Sequence, residues 1–269
     1  FRFVTAAIPT LFFVGSTMFP TNVHAAGFSD PNIKAVVIVK CDDRQGSGTV
    51  INSTDKYVLT NAHVVIDKET GRTPTSCQVG FLENPADPPR YYYRANIIKS
   101  AFEPEGNLDF AILQITQQLT IQGIPEPFPM LKTDEFPSVN EEVRVAGYSG
   151  DQDHLVISDG TIRGFEQGFI QISAQLSPGN SGGSAVNAQN ELIGIPTRIV
   201  TITSEDHRTV ETRYELVDIR AVMNWLDLYG ENEHDKYFVH ADRNRYHLQE
   251  SYVHDANLGC TALVKLETN

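Results

Sequence analysis

From residue 35 onward the apolar positions fall into short runs separated by turn-forming residues. In the first half the runs are "AVVIVKC", "GSGTVIN", "KYVLT", "CQVGFL", "YYYRANIIK" and "FAILQIT". In the second half they are "EVRVAGY", "HLVISDGTIRGF", "GFIQISA", "LIGIPTRIVTIT" and "TVETRYEL". Val, Ile, Thr, Tyr and Phe dominate them, the residues that pack well on a pleated surface. About a dozen such strands with almost no helix between them predict an all-β chain built as barrels or sandwiches. Between the two sets, "QGIPEPFPMLKTDEFPS" is rich in proline and has no period, so a connector between two half-domains is expected near residues 120–138. After the last strand, Ile219, Val222, Met223 and Leu226 recur at helical spacing and predict one helix that stops at Gly230 and packs on a barrel.

Bulk composition adds exclusions. The chain has 269 residues and a formal charge of −13, from 21 basic and 34 acidic side chains. That charge disfavours nucleic-acid binding, which needs a basic face for phosphates, and adsorption to anionic membranes. The N-terminus differs from the rest: "FRFVTAAIPTLFFVGSTMF" carries one charge, Arg2, and "TNVHA" sets Val23 and Ala25 at the small-residue positions before a signal-peptidase cut. Residues 1–25 read as a secretory signal cleaved before Ala26, which leaves no stable membrane span and implies a secreted or periplasmic protein.

Cys41 ends one strand-like run and Cys77 begins another. If those strands are neighbours, an exported chain could bridge them, leaving Cys260 over; sequence alone does not fix the pairing. Residues 231–269 are polar and hold His234, His240, His247 and His254. No carboxylate–histidine spacing typical of a metal site accompanies them, so a solvated extension is expected, with no metal and no cofactor.

The chemistry gathers around "SPGNSGGSAV", where Ser181 stands between Gly179 and the Gly182–Gly183 pair. An ordinary turn would explain Pro178, Gly179 and Asn180. A nucleophilic serine, however, also needs a base and an orienting carboxylate. In "YVLTNAHVVID", His63 follows a strand and opens a helical turn, flanked by Asn61 and Ala62 and by Val64 and Val65. In "GNLDFAILQI", Asp109 heads an apolar strand between Leu108 and Phe110, where a partly buried carboxylate demands a hydrogen-bond partner.

Taken in order, "GSGTVI…YVLTNAHVV", "LDFAIL" and "SPGNSGGSAV…ELIGI" resemble the trypsin-like serine peptidases of the chymotrypsin fold. The likeness is nearest to the bacterial HtrA/Deg-type and glutamyl-endopeptidase branches and covers about residues 35–228. The resemblance implies two six-stranded antiparallel β-barrels with the site in the cleft between them. The expected division is a first barrel over 30–122, a second barrel with its helix over 136–230 and a polar extension over 231–269. It implies Ser181 as nucleophile, His63 as general base and Asp109 as its orienter. The N–H groups of Gly179 and Ser181 would form an oxyanion hole.

By the same analogy the substrate pocket would be walled by Gln175, Pro196, Thr197 and Arg198. Gln175 offers no salt bridge to a basic substrate side chain, and Arg198 could attract an acidic one or narrow the pocket. Asn180 stands where trypsin-like zymogens carry an aspartate, so no activation by a new N-terminus is expected, and the residues after Gly230 are too few for a PDZ domain. Protein or peptide substrates follow. Two rivals remain. One is a protease fold kept for binding, catalytically silent. The other is an esterase read from Gly179-x-Ser181-x-Gly183, with later partners such as Asp206–His207 or Asp218–His240. The esterase needs a helix after the serine, where "LIGIPTRIV" reads as a strand.

Overall fold

The computed structural model describes residues 30–67, 70–84, 87–102, 108–117, 123–132, 134–150, 153–166, 168–203, 209–227, 250–255 and 260–265. The proposed signal, residues 1–25, lies outside them, as do His234, His240 and His247. After a 3-10 turn at Asp30–Ala35 come β1 (Val36–Cys41), β2 (Arg44–Asn52), β3 (Tyr57–Thr60), a single helical turn α1 (Ala62–Val65), β4 (Cys77–Phe81), β5 (Tyr91–Phe102) and β6 (Asp109–Ile115). The second set is β7 (Glu142–Tyr148), β8 (Leu155–Glu166), β9 (Phe169–Ile172), β10 (Ser184–Asn187), β11 (Leu192–Thr203) and β12 (Thr209–Asp218), followed by helix α2 (Ile219–Asp227).

Each set closes into a six-stranded antiparallel barrel, so the expected fold class is borne out. Around the first barrel the order is β1-β2-β3-β6-β5-β4. Around the second it is β7-β8-β9-β12-β11-β10, the same path repeated. Closure removes the open strand edges that would otherwise template aggregation. The barrels meet where β1 and β2 abut β7. This explains why "VVIV" in β1 is apolar without alternation: Val36, Val37, Ile38 and Val39 are all fully buried, between their own barrel and its neighbour.

Pairing of β1 with β4 runs Ile38↔Gly80, Val39↔Val79 and Lys40↔Gln78, which sets Cys41 opposite Cys77 one step further on. The two are joined by a disulfide with their Cα atoms 4.4 Å apart, the close spacing of a non-hydrogen-bonded antiparallel pair. The connector is pinned to the second barrel: Leu131 N–H donates to Leu192 O (3.0 Å) and Leu192 N–H to Pro129 O (2.6 Å). Helix α2 buries Ile219, Val222 and Leu226, three of the four residues whose spacing predicts it. Its Trp225 reaches the first barrel and meets Phe110 edge to face, with ring centroids 5.0 Å apart.

The polar extension is not wholly without structure. β13 (Glu250–Asp255) and β14 (Cys260–Lys265) pair antiparallel, with Tyr252 opposite Leu263 and Val253 opposite Ala262. β-branched and aromatic residues concentrated in "SYVHD" and "CTALVK" give this local preference.

Candidate active site

β3 and β6 run antiparallel with Thr60 opposite Ala111, so the end of one strand and the start of the other lie at the same rim of the first barrel. Asn61 is extended, at φ −77° and ψ 148°, and starts α1. That turn buries Ala62, Val64 and Val65 and leaves His63 facing the rim. Asp109 is the first residue of β6 and only 8% exposed. Its Oδ2 lies 2.6 Å from His63 Nδ1, and its Oδ1 accepts the His63 backbone N–H at 2.9 Å. Two contacts to one residue fix both the plane of the ring and its tautomer. The proton sits on Nδ1 facing the carboxylate, which leaves the Nε2 lone pair available as a base.

Ser181 comes from the other barrel, in the loop between β9 and β10. Residues 177–180 form a type II turn: Asn180 N–H donates to Ser177 O at 3.0 Å, Pro178 takes the second place, and Gly179 the third with φ +96°. Only a residue without Cβ adopts that third position cheaply. The Asn180 side chain locks the turn from within. Its Oδ1 accepts Ser177 N–H at 2.7 Å and its Nδ2 donates to Tyr148 O at 3.2 Å. Gly182, at φ +84°, lets the chain pass so close to the first barrel that an added Cβ would stand 2.3 Å from both Ser47 O and Thr60 Oγ1.

With these bonds made, the N–H groups of Gly179 and Ser181 have no acceptor among the described residues. The Ser181 hydroxyl lies 3.5 Å from Thr197 O, and among the described residues no hydrogen bond joins it to His63. The arrangement therefore offers a carboxylate-held imidazole, a serine hydroxyl and a pair of free N–H donors across one inter-barrel seam.

Three residues that hold this seam were not singled out from sequence for that role. Ser47, in the "GSG" of β2, donates its backbone N–H to Ser181 O (2.8 Å) and its hydroxyl to Gly179 O (2.7 Å). The same hydroxyl accepts Tyr148 N–H at 2.7 Å. Asn61 Nδ2 donates to Asp109 O (2.6 Å) and to Thr197 Oγ1 (2.9 Å), tying β6 to β11. Asn180 acts through the turn just described. All three are buried polar residues, a property that the folded chain and not the sequence reveals, and burial makes their hydrogen bonds obligatory.

The expected pocket residues differ in their surroundings. Gln175 is exposed, whereas Pro196 is buried with its carbonyl accepting Gly182 N–H at 2.9 Å. Thr197 stands on a bulge where β11 gains a residue over β12, which turns its buried hydroxyl toward Asn61 and Ile195 O. Arg198 pairs with the buried Glu215, and its guanidinium lies 3.6 Å above the Phe169 ring. Among the described residues no group of three or more His, Cys, Asp or Glu side chains could hold a metal ion.

Known proteins are similar to this chain. The chain is 29% identical over 167 residues to a Haemophilus influenzae protein described as "Probable periplasmic serine protease do/HhoA-like", covering 58% of this chain and 31% of that protein. It is 27% identical over 203 residues to a Buchnera aphidicola "Probable periplasmic serine endoprotease DegP-like", covering 69% of this chain and 38% of the relative. The chain thus spans about a third of the length of these curated relatives. A solved serine endoprotease from Yersinia pestis shares the fold at a TM-score of 0.55 and 22% identity, over 76% of this chain and 64% of the other. The trypsin-like peptidase domain matches residues 46–195, from the "GSG" strand through Ser181 to the strand behind it. With more than half of its length matched, the chain belongs to the trypsin-like peptidase domain family.

Proposed function

We propose that the chain is an exported serine endopeptidase that cleaves proteins or peptides through an acyl-enzyme. Ser181 Oγ attacks the scissile carbonyl while His63 Nε2 takes its proton. Asp109 stabilises the imidazolium, and the Gly179 and Ser181 N–H groups receive the oxyanion. His63 then returns the proton to the leaving amine, and water resolves the ester by the same steps in reverse. The observation that carries the reading is the double contact of Asp109 on His63, at 2.6 Å to the ring and 2.9 Å to the backbone. Export is supported by the N-terminal sequence and by relatives described as periplasmic. Because Glu215 neutralises Arg198, the pocket edge is expected to carry no net charge from that pair and to favour small or apolar residues over acidic ones.

One observation favours a second reading, a protease fold kept for binding: the Ser181 hydroxyl lies against Thr197 O rather than His63. Such hydrogen bonds often tighten only when substrate is bound. Incubation with a diverse peptide library, wild type beside Ser181→Ala and read by mass spectrometry, separates the two. Cleavage by wild type alone supports the endopeptidase, and the residue before each cut reports the pocket. Binding of peptides by both proteins with no cleavage by either would replace it with the binding module.

A further inference from the structure

A trans peptide sends its C=O and N–H in opposite directions. Whatever holds the Pro178 carbonyl therefore aims the Gly179 N–H. Among the described residues that holder is Gly150 N–H, 2.9 Å from Pro178 O. Gly150 follows β7, in a connection closed by Ser149 N–H donating to His154 O at 2.9 Å. Gly179 packs directly on this segment: an added Cβ would meet Gly150 N at 2.4 Å and Tyr148 O at 2.7 Å. The position of Ser149 and Gly150, held to His154 by that bond, thus sets the direction of the Gly179 N–H.

That segment is tied to the other barrel. Asp153 Oδ2 accepts Lys40 Nζ at 2.6 Å and lies 3.4 Å from the Tyr92 hydroxyl. Lys40 Nζ also stands 5.1 Å from the Tyr92 ring centroid, a cation–π contact. Gln45, the cross-strand partner of Lys40, donates to Ser149 O at 3.5 Å. Lys40 itself is anchored beside the Cys41–Cys77 disulfide at the end of β1. Burial would raise the Asp153 carboxyl, but the hydrogen bonds from Lys40 and Gln45 outweigh it and hold it below the ordinary carboxylate range. The pair is therefore ionised at neutral pH.

We propose that the Lys40–Asp153 ion pair, supported by Tyr92 and Gln45, is a positioning device by which the first barrel holds Ser149, Gly150, Asp153 and His154 of the second and so aims the Gly179 N–H at the oxyanion. The proposal rests on the reading above, in which that N–H stabilises the tetrahedral intermediate. In this proposal Lys40 and Asp153 act through Gly150. Their side chains are 31% and 29% exposed, which limits the effect to a moderate one.

The test uses the full chain as wild type, Asp153→Asn and Lys40→Met. Steady-state kinetics on a cleaved peptide are measured beside the affinity for a peptide boronic acid and for the corresponding product peptide. Boron bonded to Ser181 puts an oxygen where the oxyanion would lie, and the product peptide reports ground-state binding alone. The expected result is a loss of about tenfold in kcat and in boronate affinity, about 1.4 kcal/mol. KM and product-peptide affinity should stay within about twofold, and thermal midpoints should be nearly unchanged. The inference is overturned if both variants keep wild-type kcat and boronate affinity, or if product-peptide affinity falls in parallel. Either result with an active wild type removes this inference and leaves the endopeptidase standing. A wild type that neither cleaves nor binds the boronate removes both.

Discussion

Both carboxylate oxygens of Asp109 face His63, one at the ring and one at the backbone amide. The substitution Asp109→Asn separates these two jobs. Asparagine keeps the shape, and its Oδ1 still accepts the His63 amide. Its Nδ2 would then confront Nδ1, so the ring must move its proton to Nε2, the wrong atom for a base. The expected outcome is a fall of about 10⁴ in kcat, with a thermal midpoint within a few degrees of wild type. A loss of less than about tenfold, measured on a library-derived peptide, would remove Asp109 from the proposed mechanism. His63, Asp109 and Ser181 could be singled out from sequence because each sits beside a distinctive local pattern: a strand end, a strand head, a glycine-flanked turn. Ser47 could not. Its hydroxyl meets Gly179 O and Tyr148 N–H, partners 132 and 101 residues away, and no local pattern encodes them.

At the scale of elements, strand positions followed from composition, while the register between strands came from pairing. β1 and β4 are separated in sequence by two other strands, and their register sets Cys41 against Cys77. The bridge closes 36 residues of chain, and the loop-entropy estimate for that length is a stabilisation of about 3–4 kcal/mol. Replacing both cysteines by serine should lower the midpoint by roughly 10 °C, at about 2–4 °C per kcal/mol for a chain of this size. Differential scanning calorimetry of the double variant checks this, and a shift under about 2 °C would mean that the strand ladder alone holds the hairpin end beside Lys40. The bulge at Thr197 shows the opposite limit of sequence reading. One extra residue in β11 turns the Thr197 hydroxyl toward Asn61. Nothing in "GIPTRI" announces it beyond Pro196, which lacks the N–H needed for regular pairing.

Across the whole molecule, the same six-strand path occurs twice, once in each barrel. One continuous set of buried side chains runs through both barrels, and α2 adds a strap from the second barrel to Phe110 of the first. The barrels are therefore expected to unfold together. Trp225 is the one tryptophan of the chain and stands at that contact, so its fluorescence reports the seam. Denaturant curves followed by tryptophan fluorescence and by far-ultraviolet circular dichroism should superimpose. Two separated transitions would show that the barrels are independently stable. The proposed site takes His63 and Asp109 from one barrel and Ser181 from the other, so it requires the seam to be closed.

By itself the sequence determined what depends on neighbours along the chain. These are the strand runs, the α2 spacing, the turn around Gly179 and the order of motifs that marks the trypsin-like family. Tertiary structure alone decided what depends on residues far apart in sequence. It set the closure of each barrel, the Cys41–Cys77 pairing, the buried struts Ser47 and Asn61, and the neutralisation of Arg198 by Glu215. The physical reason is range. Propensity and periodicity act over a few residues, whereas a buried hydrogen bond or ion pair is specified only when two distant segments are brought within about 3 Å of each other.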